Sequence, residues 1–165
     1  MPNLGEQLEF CAVRRQDDGH YSVHSEIVIE ARPEIVWGVL RDFDAMASWS
    51  SSLKTITGDI RHGGRVQSHF YAMGETWVAD HEFIFEDGVR YGWSDPLTGA
   101  FAGIRDNHHF VLEPIDALRT RFIQSDEFTG EGADIHGPAL ARVGFESYPR
   151  FNSELRDRVA TLKRS

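Results

Sequence analysis

Between residues 53 and 129 the chain is a succession of short apolar stretches broken by turn signals at fairly regular spacing. This constrains the fold more than any other feature of the sequence. Gly58-Asp59, His62-Gly63-Gly64, Met73-Gly74, Asp87-Gly88 and the longer segment 94–103 supply the breaks. Glycine and Asp/Asn tolerate the positive φ that tight turns demand. Successive short strands joined this way form an antiparallel meander rather than strand–helix–strand units. Asp87-Gly88, between "HEFIF" and "VRYGW", reads as a two-residue hairpin turn.

The flanks supply the remaining elements. Residues 21–30, "YSVHSEIVIE", alternate, with Tyr21, Val23, Ser25, Ile27 and Ile29 on one face and His24, Glu26, Val28 and Glu30 on the other, which is a strand. Pro33 then opens a helix, and Ile35, Val36, Val39, Leu40 and Phe43 recur at helical spacing. A second short helical turn through Ala45, Met46 and Ala47 leads to Trp49. After residues 130–137, Pro138 is expected to start a long terminal helix, with Leu140, Gly144, Tyr148, Phe151, Leu155, Val159 and Leu162 along one stripe. Pro149 is expected to kink or divide it, because an interior proline costs about 3 kcal/mol. Residues 1–20 read as a polar arm before a single domain at 21–165. The expected class is α+β, a curved antiparallel sheet of about seven strands with two short helices after the first. Its concave face needs an apolar cover, and the terminal helix alone is long enough.

With 165 residues the chain forms one core without requiring disulfides or a metal. A formal charge of −9 and no Lys/Arg run disfavour nucleic acid and anionic membranes as partners. Cys11 is the single cysteine, the start lacks a signal-peptide pattern, and no apolar run approaches the ~18 residues of a membrane span. A cytoplasmic location is the expectation.

Residues 27–49, "IVIEARPEIVWGVLRDFDAMASW", resemble the strand, Ala-x-Pro-x-x-Val-Trp-x-x-Leu-x-Asp-Phe run and later Trp of the START-like, or SRPBCC, superfamily in its polyketide cyclase/dehydrase branch. His108-x-Phe110-x-Leu112-x-Pro114, Thr120-x-Phe122, Glu127-Phe128-x-Gly130 and the terminal helix with Phe151-Asn152 and Leu155 are similar to that family too. The resemblance runs from about Tyr21 to the end. It implies the helix-grip fold and a cavity between sheet and helix for a hydrophobic, often aromatic, small molecule. Fold alone does not fix function, since members include carriers, receptors, cyclases and cofactor-free lyases.

Strand parity identifies the residues facing that cavity. With Phe110 and Leu112 inward, His108 and Asp106 share their face, whereas Asn107 and His109 take the other. On the next strand Gln124 and Asp126 accompany Phe122 and Phe128. On "ETWVADHEFIF", Ala79 and His81 accompany Trp77, Phe83 and Phe85. Val66, Ser68, Phe70 and Ala72 form the preferred inward set of "RVQSHFYA", and Tyr91 and Trp93 add aromatic wall. His108 is the candidate acid or base, with Asp126 orienting it, His81 as second acid/base or substrate anchor, and Asp106 in reserve. Trp77, Trp93, Tyr91, Phe70, Asp106, Gln124, Phe110 and Tyr148 are the candidate substrate contacts. Either histidine could instead be a hydrogen-bonded core residue. A metal on His81, His108 and Asp126 is chemically allowed but has no tight ligand motif, so no metal or cofactor is expected. Nucleophilic catalysis has little support, with Cys11 in the arm and no Gly-x-Ser-x-Gly elbow.

Two functions follow: a cofactor-free lyase, dehydratase or cyclase working by proton transfer on an aromatic or polyketide-like substrate, or a non-catalytic carrier or sensor of a lipid or aromatic ligand. A protein-interaction role is the third. The expected partner is a hydrophobic or aromatic small molecule, with a homodimer left open.

Overall fold

The computed structural model of the chain describes residues 9–163. Strands β1 (Glu9–Arg15) and β2 (Tyr21–Ile29) are followed by helix α1 (Pro33–Leu40) and a single 3-10 turn, Met46–Ser48. Six consecutive strands come next: β3 (Leu53–Gly58), β4 (Arg65–Ala72), β5 (Glu75–Glu86), β6 (Arg90–Pro96), β7 (Arg105–Pro114) and β8 (Thr120–Thr129). Helix α2 (Ala133–Leu162) closes the chain. The strands form one antiparallel sheet in the order β1-β2-β8-β7-β6-β5-β4-β3. α2 packs across β2, β8 and β1, which is the expected grip of sheet around helix.

Several boundaries differ from expectation. The sheet has eight strands, because residues 9–15 of the expected arm pair with β2 along their whole length. Cys11 packs inward at this edge, and charge ties the strand to α2: Arg15 bonds Asp134 at 2.9 Å and Arg156 bonds Glu9. Residues 1–8 of that arm lie outside the described residues. α2 begins at Ala133, five residues before Pro138, and runs unbroken through Pro149. Pro149 deprives the Phe145 carbonyl of its helical donor. Tyr148, Phe151 and Asn152 beside it are all buried, and their packing holds the helix together there. The turn after β5 has three residues, of which Gly88 alone takes a positive φ; the two-residue turn with both residues in the left-handed region is Met73-Gly74. No described helix is long and apolar enough to cross a membrane.

Aromatic packing fills much of the interior. Phe83, Tyr91, Phe110, Phe122 and Phe151 are essentially inaccessible, and Tyr91 stacks on Phe110 with centroids 4.7 Å apart. α1 adds Val36, Trp37, Val39 and Leu40, whereas Ile35, expected on that stripe, is exposed. The Trp37 indole donates to Asp87 in the turn after β5 at 2.9 Å, which fixes the helix to the sheet. A second, smaller cluster contains Val23, Ile104, Phe128, Ala141 and Tyr148.

Gly92 faces His109 across the β6–β7 pairing. A Cβ there would come within 2.1 Å of the His108 carbonyl oxygen, so only glycine permits the approach of β6 to β7 that aligns Trp93 with His108. Gly92→Ala should therefore destabilise the fold by roughly 2 kcal/mol, the scale of core overpacking, read as a lowered urea midpoint. A midpoint equal to wild type would contradict this account of the close approach.

Candidate functional site

The inward faces of β2, β7 and β8 all turn polar at the same level of the sheet. On β8, Gln124 and Asp126 lie between Phe122 of the main core and Phe128 of the second cluster. On β7, Phe110 gives way to His108 and Asp106, and on β2 Ile27 gives way to Ser25. Cross-strand register makes this a continuous layer: Trp93 pairs with His108, His108 with Asp126, and Ser25 with Gln124.

Two carboxyls lie at its centre, Asp126 buried and Asp106 half-buried. Asp106 and Asp126 are diagonal neighbours on the inward faces of β7 and β8, since Asp126 pairs with His108 and Asp106 with Phe128. Burial first, and then the neighbouring Asp106 charge, hold the Asp126 carboxyl well above the usual carboxylate range, so Asp126 carries the proton. Each carboxyl has a donor: the Trp93 indole N–H donates to Asp106 Oδ2 at 3.0 Å, and the Tyr148 hydroxyl donates to Asp126 Oδ2 at 2.8 Å. Asp106 Oδ1 and Asp126 Oδ1 are buried without a hydrogen-bond partner.

His108 sits over this pair, stacked on Phe110 at 4.5 Å and 4.9 Å from the Tyr148 ring. Its Nε2 accepts from the Gln124 amide at 3.0 Å, which leaves the Nδ1 proton directed toward Asp126 Oδ2 at 3.7 Å. Burial lowers the His108 pKa to about 4. Burial thus favours the uncharged form of both partners in this contact. Gln124 and Asn152 each keep a buried side-chain oxygen without a partner, although Asn152 donates to Ser25 Oγ at 3.0 Å. Such buried acceptors mark a place for a donor from water or ligand.

His81 stacks on Trp93 with ring centroids 4.1 Å apart. Both its nitrogens have partners: Nδ1 meets Asp95 Oδ2 at 2.9 Å and Nε2 meets Ser68 Oγ at 2.8 Å. Among the described residues no three His, Cys, Asp or Glu side chains converge as metal ligands.

The structure thus brings together His108, Asp126, Asp106, Gln124, Tyr148 and Trp93, with His81 behind Trp93. Phe110 and Tyr91 form apolar wall, and the Tyr91 hydroxyl reaches only the Leu40 carbonyl. Phe70 is half-buried at the core's margin, and Trp77 is 38% exposed near the β4–β5 turn, its indole donating to the Ala72 carbonyl. His109 faces the outer side of the sheet, on a groove of about 810 Å³ that also includes Phe10, Arg14 and His24. Sequence reasoning missed Asp95, Asn152 and the bonding role of Ser68. Asp95 was hidden in a segment read as turn, although its parity with Tyr91 and Trp93 points it inward.

A sheet curved around one long helix, with an aromatic interior and a layer of buried ionisable groups, defines the class of START-like ligand-binding proteins. More particularly, residues 20–164 match the family model described as "Polyketide cyclase / dehydrase and lipid transport", and the chain belongs to that family. Solved structures agree on the fold. A START superfamily protein from Mycobacterium smegmatis is 15% identical with a TM-score of 0.67, over 86% of this chain and 98% of that one. The Zhui aromatase/cyclase from a Streptomyces species is 16% identical with a TM-score of 0.66, over 86% and 94%. The di-domain ARO/CYC BexL is 12% identical with a TM-score of 0.69, over 87% of this chain and 48% of that one. No curated protein matches the sequence.

The lowered pKa of His108 has a consequence for stability. An unfolded histidine takes a proton near pH 6.5, and the folded one resists until about 4. Stability from this group is therefore intact above about pH 6.5 and is lost as pH falls toward 4, by about 3 kcal/mol in all. His108→Gln should remove that part of the acid sensitivity, seen as a smaller drop in urea midpoint between pH 7 and 4.5. An unchanged drop would contradict the assignment.

Proposed function

We propose that the protein is a cofactor-free enzyme of the lyase, dehydratase or cyclase type, acting by acid–base chemistry on a hydrophobic aromatic or polyketide-like molecule. The observation that carries this reading is the buried Asp126 carboxyl, bonded by Tyr148, next to His108 and beside Asp106, where burial favours its protonated form. Environments that divide two adjacent carboxyls into an acid and a base are a means of running both chemistries at neutral pH. Family membership supports the substrate class.

In this reading Asp126, rather than His108, is the general acid. It protonates a leaving hydroxyl or a carbonyl oxygen while Asp106 accepts the proton from the carbon alongside. Proton transfer between the two neighbouring carboxyls then restores Asp126, so a dehydration or aldol-type closure leaves the enzyme unchanged. His108 is kept neutral by burial and fixed by Gln124, and it orients the substrate oxygen beside Asp126. Trp93 and Tyr148 hold the two carboxyls in place.

The test is turnover of poly-β-ketone or β-hydroxyketone thioesters followed by mass spectrometry. Asp126→Asn should lower kcat at least a hundredfold, with ligand affinity within a few-fold of wild type. This variant is a fair one to fold. The raised pKa means that Asp126's contribution is full below about pH 3.9 and lost as pH rises, a loss that an asparagine escapes. Turnover equal to wild type in both Asp126→Asn and Asp106→Asn would overturn the assignment. Binding without conversion in every variant would favour a carrier.

A further inference from the structure

Ser68, His81 and Asp95 come from three adjacent strands and form a chain that the acid–base reading does not use. Asp95 accepts from His81 Nδ1 at 2.9 Å. That bond places the ring proton on Nδ1 and leaves Nε2 as an acceptor, so the Ser68 hydroxyl, 2.8 Å away, must donate to it. This is the tautomer that an activated serine requires, with a base within reach of the hydroxyl and a carboxylate orienting the base. The imidazole is held rigidly by its stack on Trp93. Burial lowers the pKa of His81, leaving it free to accept a proton, while the Asp95, Asp106 and Asp80 carboxylates stabilise the imidazolium once formed.

The chain also lies at a boundary in burial. Along the inward face, Val66 and Phe83 are fully enclosed, Ser68 and His81 are buried, and beyond them Phe70 and Ala79 are half-buried and Trp77 exposed. An apolar chain lying on Phe70, Ala79 and Trp77 would end at Ser68, once the half-buried Phe70 ring moves aside.

We propose that Ser68, His81 and Asp95 are a nucleophilic triad that takes the acyl group from an ester or thioester of an apolar acid and releases it to water. Ser68 Oγ bonds to the acyl carbon as its proton passes to His81 Nε2. That proton leaves on the departing alcohol or thiol when the carbon–oxygen or carbon–sulfur bond breaks. Water then attacks the acyl-serine and gives its proton to His81. The serine–carbon bond breaks, Oγ recovers the proton, and the free acid departs. Ester and water become acid and alcohol, with no change of oxidation state.

The experiment is covalent labelling of the full chain with a small alkyl fluorophosphonate, mapped by peptide mass spectrometry. One adduct at Ser68 is expected, absent in Ser68→Ala and formed at least a hundredfold more slowly in Asp95→Asn. If Ser68→Ala does not fold, Ser68→Cys serves in its place. Its thiol should alkylate with a pH midpoint below the ordinary value of about 8.5, and the added change His81→Gln should abolish that shift. No adduct at Ser68 in the folded wild type, an adduct only elsewhere, or equal rates in wild type and Asp95→Asn would overturn the proposal. The Asp106–Asp126 chemistry is tested separately, by turnover in Asp126→Asn, whereas this proposal is read from the adduct at Ser68.

Discussion

A carboxyl enclosed in the interior beside a second carboxyl resists ionisation, and the arrangement around Asp126 follows from that constraint. Burial first, and then the charge of the neighbouring Asp106, hold the Asp126 carboxyl well above the usual carboxylate range. The Trp93 indole and the Tyr148 hydroxyl then supply one donor to each group, from β6 and α2 respectively. Neither donor is near the acids in sequence. Both arrive through the register of Trp93 with His108 and of His108 with Asp126, and through the placement of α2 over β8.

The surroundings explain why such a pair is tolerated. Apolar clusters lie on both sides of the polar layer, the main one built on Phe83, Tyr91, Phe110, Phe122 and Phe151. The layer is therefore carried by the packing around it, as buried polar groups generally are. Gly92 allows the backbone approach that sets the layer's geometry, while Gly137 allows α2 to lie close on Tyr21, where a Cβ would come within 2.6 Å of the ring. Backbone proximity and aromatic packing thus place the ionisable groups, and burial then decides which of them are charged.

Much of this was legible in the sequence because period-two alternation survives in the strands. The inward assignment of His108, Asp126 and Gln124 and the outward assignment of His109 depended only on parity with Phe110 and Phe122. What was not legible required three dimensions. β1 lacks a strong apolar alternation because it is an edge strand whose ends pair by charge with α2. The long helix survives two prolines because tertiary packing outweighs propensity. The proton's place on Asp126 rather than His108 follows from depth of burial, and the Ser68–His81–Asp95 chain from the register of three strands; neither has a local sequence signature.

The central claim is that Asp126 keeps its proton. The most direct test is a carbon-13 NMR titration of protein labelled at the aspartate carboxyls, with the Asp126 signal assigned by its loss in Asp126→Asn. The account predicts that this signal stays in the acid form after the exposed aspartates have ionised around their ordinary value of about 3.9. An Asp126 signal that moves together with those exposed aspartates would contradict it.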